Sequence, residues 1–172
     1  GGTALSDVST LGPNPDPNGN GNPLDDSAPT PVSFGENPEI GVAKAIVAGP
    51  VRNANGTYTL TFRIRIENSG DAPVHGVQLT DNLATTFADA AAFSVDALTG
   101  TGVTVNPSYN GGSNASLLSG ADVLGIGTVG SVDLRVTLTP GSNLGPFDNV
   151  ALGLATSVLG TSLFDVSTDG AS

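Results

Sequence analysis

The run Asp16-Pro-Asn18-Gly-Asn20-Gly21 puts one carboxylate and two carboxamides on alternate residues and closes on glycine. Alternate side chains of such a loop point one way, and the glycine permits a sharp turn around a hard cation; this is the opening spacing of an oxygen-ligand calcium loop. Asp16, Asn18 and Asn20 supply side-chain oxygens in this reading, and Asn22 a backbone carbonyl. Where such loops carry a closing glutamate this chain has Ser27, so the carboxylates expected to complete the shell are Asp25 and Asp26. Asp7 is a further candidate ligand, and Asp165 and Asp169 are candidates for the same role toward the loop of a neighbouring copy. The competing reading is a flexible Asn, Gly and Pro-rich linker whose aspartates are solvated. Charge favours the ion: clustered acidic groups on a chain of net charge −11 repel one another, and a divalent cation removes that repulsion.

Other reactive side chains are few. His75, the one histidine, has no second histidine with which to build a transition-metal site and reads as a turn residue. Gly125-Ile-Gly127-Thr-Val-Gly130 has dinucleotide-loop spacing, but an alternating strand pattern follows it instead of a helix, so it is expected to be a hairpin or edge loop. Glu36, Glu39 and Glu67 fall in a linker, at a strand start and on an exposed strand face. Asn55-Gly-Thr57 and Asn114-Ala-Ser116 read as turns. No enzyme is expected. Lys44, the one lysine, shares a strand face with Ile40, Val42 and Ile46, an unfavourable place for an unpaired ammonium. Either it is stapled to an asparagine by an isopeptide bond, with Asn149 the candidate, or a one-residue slip turns it outward.

The elements that must position these residues are strands. In Tyr58 to Glu67, Tyr58, Leu60, Phe62, Ile64 and Ile66 alternate with polar residues, and Val132, Leu134, Val136 and Leu138 do the same before Pro140-Gly141. Further strands are expected at Ile40 to Val47, Val74 to Asp81, Phe93 to Ala97, Val103 to Val105 and Asn149 to Thr156, with turns at Asn55-Gly56, Ser69-Gly70 and Asn110-Gly111-Gly112. Asp89-Ala-Ala-Ala92 is too short for a stable helix and is expected to be loop. The pattern predicts an all-β, immunoglobulin-like antiparallel β-sandwich of about seven strands. Its expected limits are residues 38–161, preceded by the Asp/Asn/Pro-rich segment 1–37. Residues 162–172 are expected to begin a next repeat or to serve as a donated strand.

That last expectation rests on a repeated tag. Asp7-Val-Ser-Thr-Leu-Gly12 returns as Asp165-Val-Ser-Thr-Asp-Gly170, and from Asp7 to Asp165 is 158 residues. A chain that ends as it begins reads as one period of a tandem array.

Glu39-Ile-Gly-Val-Ala-Lys-Ala45, Gly56-Thr-Tyr-Thr-Leu-Thr-Phe-Arg-Ile-Arg-Ile-Glu-Asn-Ser-Gly70 and Ala72-Pro-Val-His-Gly-Val-Gln-Leu-Thr-Asp-Asn-Leu83 together resemble the bacterial repeat family called domain of unknown function eleven. The resemblance covers roughly residues 38–156, and departs from the family pattern at the Ala-rich 85–92 and the Gly-rich 118–130. It implies an immunoglobulin-like module of secreted or cell-surface bacterial proteins, with no catalytic residues to carry over.

Composition bounds the partners. Sixteen acidic residues face five basic ones with no basic patch, so nucleic acid is not expected. There are no cysteines for disulfides or thiolate metal sites. No apolar run approaches the roughly 20 residues of a membrane span, and the lack of any methionine gives the expectation of a chain cut from something longer. The function expected is a structural repeat or subunit of an extracellular fibre, stalk or adhesin, rigidified by Ca2+ and contacting neighbouring copies of itself. The alternative is a carbohydrate- or protein-binding module, which two tyrosines, no tryptophan and six scattered phenylalanines do not favour.

Overall fold

The computed structural model describes Ala4 and residues 6–170. It divides into two compact units, Gly1–Gly35 and Glu36–Ser172. The first is built of turns, with one 3-10 turn over Pro23–Asp25. The second is a β-sandwich.

Among the described residues nine strands make the sandwich: β1 (Ile40–Arg52), β2 (Tyr58–Asn68), β3 (Val74–Thr80), β4 (Ala92–Thr101), β5 (Asp122–Leu124), β6 (Val129–Thr139), β7 (Leu152–Ser157), β8 (Ser162–Val166) and β9 (Thr168–Asp169). One sheet has the order β4-β6-β2-β1-β9 and the other β5-β3-β7-β8. Without β5 and β9 this is the two-sheet strand order of a constant-type immunoglobulin domain, four strands facing three. Every pairing is antiparallel except that of β1 with β9, which is parallel.

Alternation decides what faces inward. Leu60, Phe62, Ile64 and Ile66 of β2 are buried and stand opposite Val136, Leu134, Val132 and Gly130 of β6. They meet Val74, Val77, Leu79, Leu124, Ala151 and Ala155 from the other sheet in one apolar cluster. The outward residues pair across the same ladder: Arg63 faces Asp133 and grips it through Nε and a terminal nitrogen, both at 2.7 Å. At Gly153 of β7 the sheets come so close that an added Cβ would lie 2.4 Å from Val42 Cγ2.

Several expectations are corrected. Strand β1 runs on past Val47, through register shifts at Ile46/Ala48 and Ala48/Val51 that let the ladder resume around Gly49-Pro50. Residues 103–105 form no strand: Thr104 gives its amide and hydroxyl to the Asp122 carboxylate at 2.8 and 2.9 Å, and Val105 makes only an isolated bridge to Leu118. The turn in 125–130 joins β5 in one sheet to β6 in the other, so it crosses between sheets and closes no hairpin. One helical turn, α1 (Leu83–Thr86), is capped by Asn82, whose Oδ1 accepts the Thr85 amide.

The largest correction concerns the C-terminal segment expected to stand outside the sandwich at 162–172. Residues 162–166 are β8, paired along their whole length with β7, and Thr168 and Asp169 cross over to lie beside Ala43 and Lys44 of β1. Ala171 and Ser172 lie outside the described residues, as do residues 1–3 and Leu5. The boundary at the other end falls at residues 35/36, close to the expected 37/38.

Candidate functional site

In the first unit the Asp/Asn run folds through its own side chains. Asp16 accepts the Asn20 amide on Oδ1 at 3.2 Å and the Gly21 amide on Oδ2 at 2.9 Å. Asn18 Oδ1 accepts the Asn20 amide at 2.8 Å, and Asn20 Oδ1 accepts the Asn22 amide at 2.7 Å. The chain turns tightly enough for this because Gly19 and Gly21 have φ of 71° and 81°, a region other residues enter with difficulty. The loop then curls back on itself: Asn18 Nδ2 donates to Asp26 Oδ1 at 2.7 Å and Asn20 Nδ2 to Asp25 Oδ2 at 3.1 Å.

Asp16, Asn18, Asn20, Asp25 and Asp26 are thus linked by hydrogen bonds within one loop. Two observations bear on whether they suit a cation. Asp26 Oδ2 is buried without a hydrogen-bond partner. Burial, then Asp25 and Asp16, push the Asp26 carboxyl above the usual carboxylate range. An excess of negative oxygen with one atom unsatisfied suits a hard divalent cation. The cage is not ready-made: among the described residues no three His, Cys, Asp or Glu side chains form a metal-holding group. Two carboxamide nitrogens hold carboxylate oxygens where a cation would require oxygen donors.

The remaining candidates are placed differently. Asp7 is exposed and accepts the amide of its neighbour Val8 at 2.8 Å. The Asn22 carbonyl accepts the Asp25 amide at 3.4 Å inside the 3-10 turn. Asp165 lies on β8, where its Oδ2 accepts the Val42 amide of β1 at 2.6 Å, so this carboxylate is engaged within its own sandwich. Asp169 is exposed on β9, paired through its backbone with Lys44. His75 is on the solvent side of β3, opposite Thr156, a strand position and not a turn.

Lys44 is buried, at 4% exposure, and its Nζ lies 2.6 Å from Asp81 Oδ2 and 4.7 Å from the centre of the Phe62 ring. Asn149 also reaches Asp81 Oδ2, with Nδ2 at 3.5 Å. Asp81 was not singled out from sequence, yet strand parity carries the signal. It follows Val77 and Leu79 at inward positions just as Lys44 follows Ile40 and Val42, so an acid and a base point into one core from opposite sheets.

The tag also acquires a meaning. With Asp165-Val-Ser-Thr168 placed in β8 and β9, the likeness extends backwards: Gly2-Thr-Ala-Leu-Ser-Asp-Val-Ser-Thr-Leu-Gly12 matches Gly160-Thr-Ser-Leu-Phe-Asp-Val-Ser-Thr-Asp-Gly170 at eight of eleven positions. The matching residues include those that dock the strand: Leu163 packs on the core, Asp165 takes the Val42 amide, and Ser167 Oγ takes the Ala151 amide at 3.0 Å. The three that differ, Ser162, Phe164 and Asp169, are exposed. No protein-family model, curated protein or solved structure matches this chain.

Proposed function

We propose that the chain is a structural repeat or subunit of an extracellular fibre, stalk or adhesin, joined end to end and stiffened at each junction by Ca2+. The observation that carries this reading is that residues 2–12 have the sequence of a last strand. They keep the residues with which β8 and β9 grip their own sandwich, and the three positions that differ are all exposed ones. A segment of that kind belongs in the β7/β1 slot of a sandwich other than the one that follows it, whether the copies are covalently continuous or assemble by strand donation. The Asp/Asn loop then falls between successive sandwiches, where Asp16, Asp25 and Asp26 with the Asn18 and Asn20 carboxamides would hold the ion. Calcium would there replace mutual repulsion by shared coordination. The role is mechanical.

The test is the shape of three copies joined at the 158-residue period set by the tag, measured by small-angle scattering in calcium and in chelator. Calcium is expected to lengthen and straighten the array, and substitution of Asp16 and Asp25 by Asn to abolish the change. An end-to-end distance indifferent to calcium refutes the clamp.

A further inference from the structure

We propose that Lys44 and Asn149 are joined by an intramolecular isopeptide bond that the folded sandwich forms by itself, with Asp81 as the acid that drives it. This concerns the sandwich alone and stands apart from the calcium reading.

The three groups meet on one oxygen. Asp81 Oδ2 contacts the Lys44 amine at 2.6 Å and the Asn149 carboxamide nitrogen at 3.5 Å. On the far side of the carboxamide, the Thr86 hydroxyl of α1 donates to Asn149 Oδ1 at 2.9 Å, drawing electron density away from Cγ. The Tyr109 hydroxyl donates to the Asp81 carbonyl at 3.0 Å and fixes the backbone that carries the acid. Nucleophile, acid and polarised electrophile therefore come from three separate segments: β1, the end of β3, and the strand approach at 149.

As an ion pair alone the arrangement is poorly made. Buried charges are stabilised when each lone pair and proton finds a partner, whereas Asp81, with a fully buried side chain, leaves Oδ1 without one. Burial pushes the Lys44 amine down and the Asp81 carboxyl up, each opposed by the attraction between them. Both displacements move toward a neutral amine beside a neutral acid. A neutral amine is the nucleophile this chemistry needs, and a protonated carboxyl is the acid.

The reaction balances without any outside reagent. Lys44 Nζ attacks Asn149 Cγ, and the Thr86 hydroxyl holds the negative charge that forms on Oδ1 as the C–N bond forms. The protonated Asp81 carboxyl gives its proton to Asn149 Nδ2 and takes one back from Nζ, the two nitrogens its Oδ2 touches. The bond from Cγ to Nδ2 breaks, ammonia departs, and the carbonyl re-forms as a secondary amide. Asp81 ends as it began. A hollow lined by Lys44, Phe62, Asn149 and Thr168 adjoins the cluster and gives ammonia a way out. Asp81 is the less suitable electrophile, because attack there would consume the carboxyl that holds the amine and form a bond by losing water instead.

The test is the mass of the purified, folded full chain under denaturing conditions. One ammonia less than the sequence mass is expected. Trypsin should fail to cut after Lys44, leaving residues 1–52 attached to 136–172, and the tandem spectrum should place the junction at Lys44 and Asn149. Asp81→Asn and Asn149→Ala are expected to show the full mass. A folded chain of full mass overturns the proposal. So does loss of water with the junction at Asp81, or loss of ammonia with the two peptides unlinked, which is a cyclised asparagine. A bond that still forms in Asp81→Asn overturns the role of the acid. If that variant does not fold, the parent chain's mass and tandem spectrum decide the bond, and Asp81→Glu, which keeps the carboxyl, must restore it for the acid's role to stand.

Discussion

The claim that residues 2–12 carry the sequence of a last strand can be tested inside one chain by writing that sequence into β8 and β9. Only Ser162→Ala, Phe164→Ser and Asp169→Leu are required, since the other eight positions already agree. Phe164 is 74% exposed, so of the roughly 1.5–3 kcal/mol that full burial of a Phe yields, about a quarter, near 0.5 kcal/mol, is at stake. Serine's weaker strand preference adds up to about 1 kcal/mol. Ser162→Ala and Asp169→Leu alter exposed side chains and contribute about zero. The expected destabilisation is about 1 kcal/mol. The contrasting variant is Leu163→Ala with Asp165→Ala. The first change removes a half-buried side chain that packs on the core, and the second takes a charged acceptor from the Val42 amide, a bond worth about 1.5–3 kcal/mol. Together they should cost about 3–5 kcal/mol. Urea unfolding followed by far-ultraviolet circular dichroism gives both values. If the three outward changes cost as much as the two inward ones, the match between the segments does not track docking, and residues 2–12 lose their claim to the slot.

The other expectations are these. Calcium should protect the amides of residues 18–22 from hydrogen exchange, and Asp16→Asn with Asp25→Asn should remove that protection. Because burial and its acidic neighbours raise Asp26 above the usual carboxylate range, the metal-free loop gains stability as pH falls through that raised value. Calcium affinity, titrated calorimetrically, should fall over the same window, which begins above that of an ordinary carboxylate; affinity rising on acidification would contradict this. Arg63→Ala should cost little, since the pair lies on the exposed face. Arg63 hydrogen bonds hold Asp133 below its ordinary value, so this contribution is present above the unfolded carboxylate pKa and lost as pH falls through the lower folded one; a pH-unfolding series on parent and variant reads the difference. Gly153→Ala should cost about 1–3 kcal/mol by overpacking against Val42. In a double-mutant cycle, Val42→Ala should recover part of that loss.

What could be read in advance followed the clarity of alternation. Strands β2 and β6 are half-buried along their length, and period-two patterning states both their existence and their inward face. Strand β5 is three residues long with Val123 exposed, and β8 shows Phe164 and Val166 to solvent, so neither presents an apolar stripe. Their pairing is set by neighbours distant in sequence, which local pattern does not contain. The turns of residues 16–22 were legible because their geometry is local, each Asx side chain binding an amide two to five residues on. The Lys44 cluster was half legible. Parity showed a lysine pointing inward, but the charged partner sits 37 residues on, in the opposite sheet. Reading both strands' parities together would have found it.

The position of the cluster fits a domain that carries tension. Strands β1 and β9 run parallel, so force applied at the start of one and the end of the other slides them past each other and loads their hydrogen bonds together. Among the described residues two pairs make that ladder, Ala43 with Thr168 and Lys44 with Asp169, and so short a ladder resists little alone. Lys44 is one of those residues, and Asn149 leads into β7, which pairs with β8 along the whole of β8's length. A covalent bond from Lys44 to Asn149 therefore ties β1 to the strand that holds the C-terminal segment, at the place where the two ends of the sandwich come together. Tension entering through β1 would pass across that bond into 149 and on through β7 and β8, sparing everything between 45 and 148. The consequence can be measured: pulled from its ends, the bonded sandwich should extend by less than half the contour length of Asn149→Ala, in which the whole 36–170 segment is free to unravel. Equal extensions in the two proteins would show that no covalent link shortens the force path.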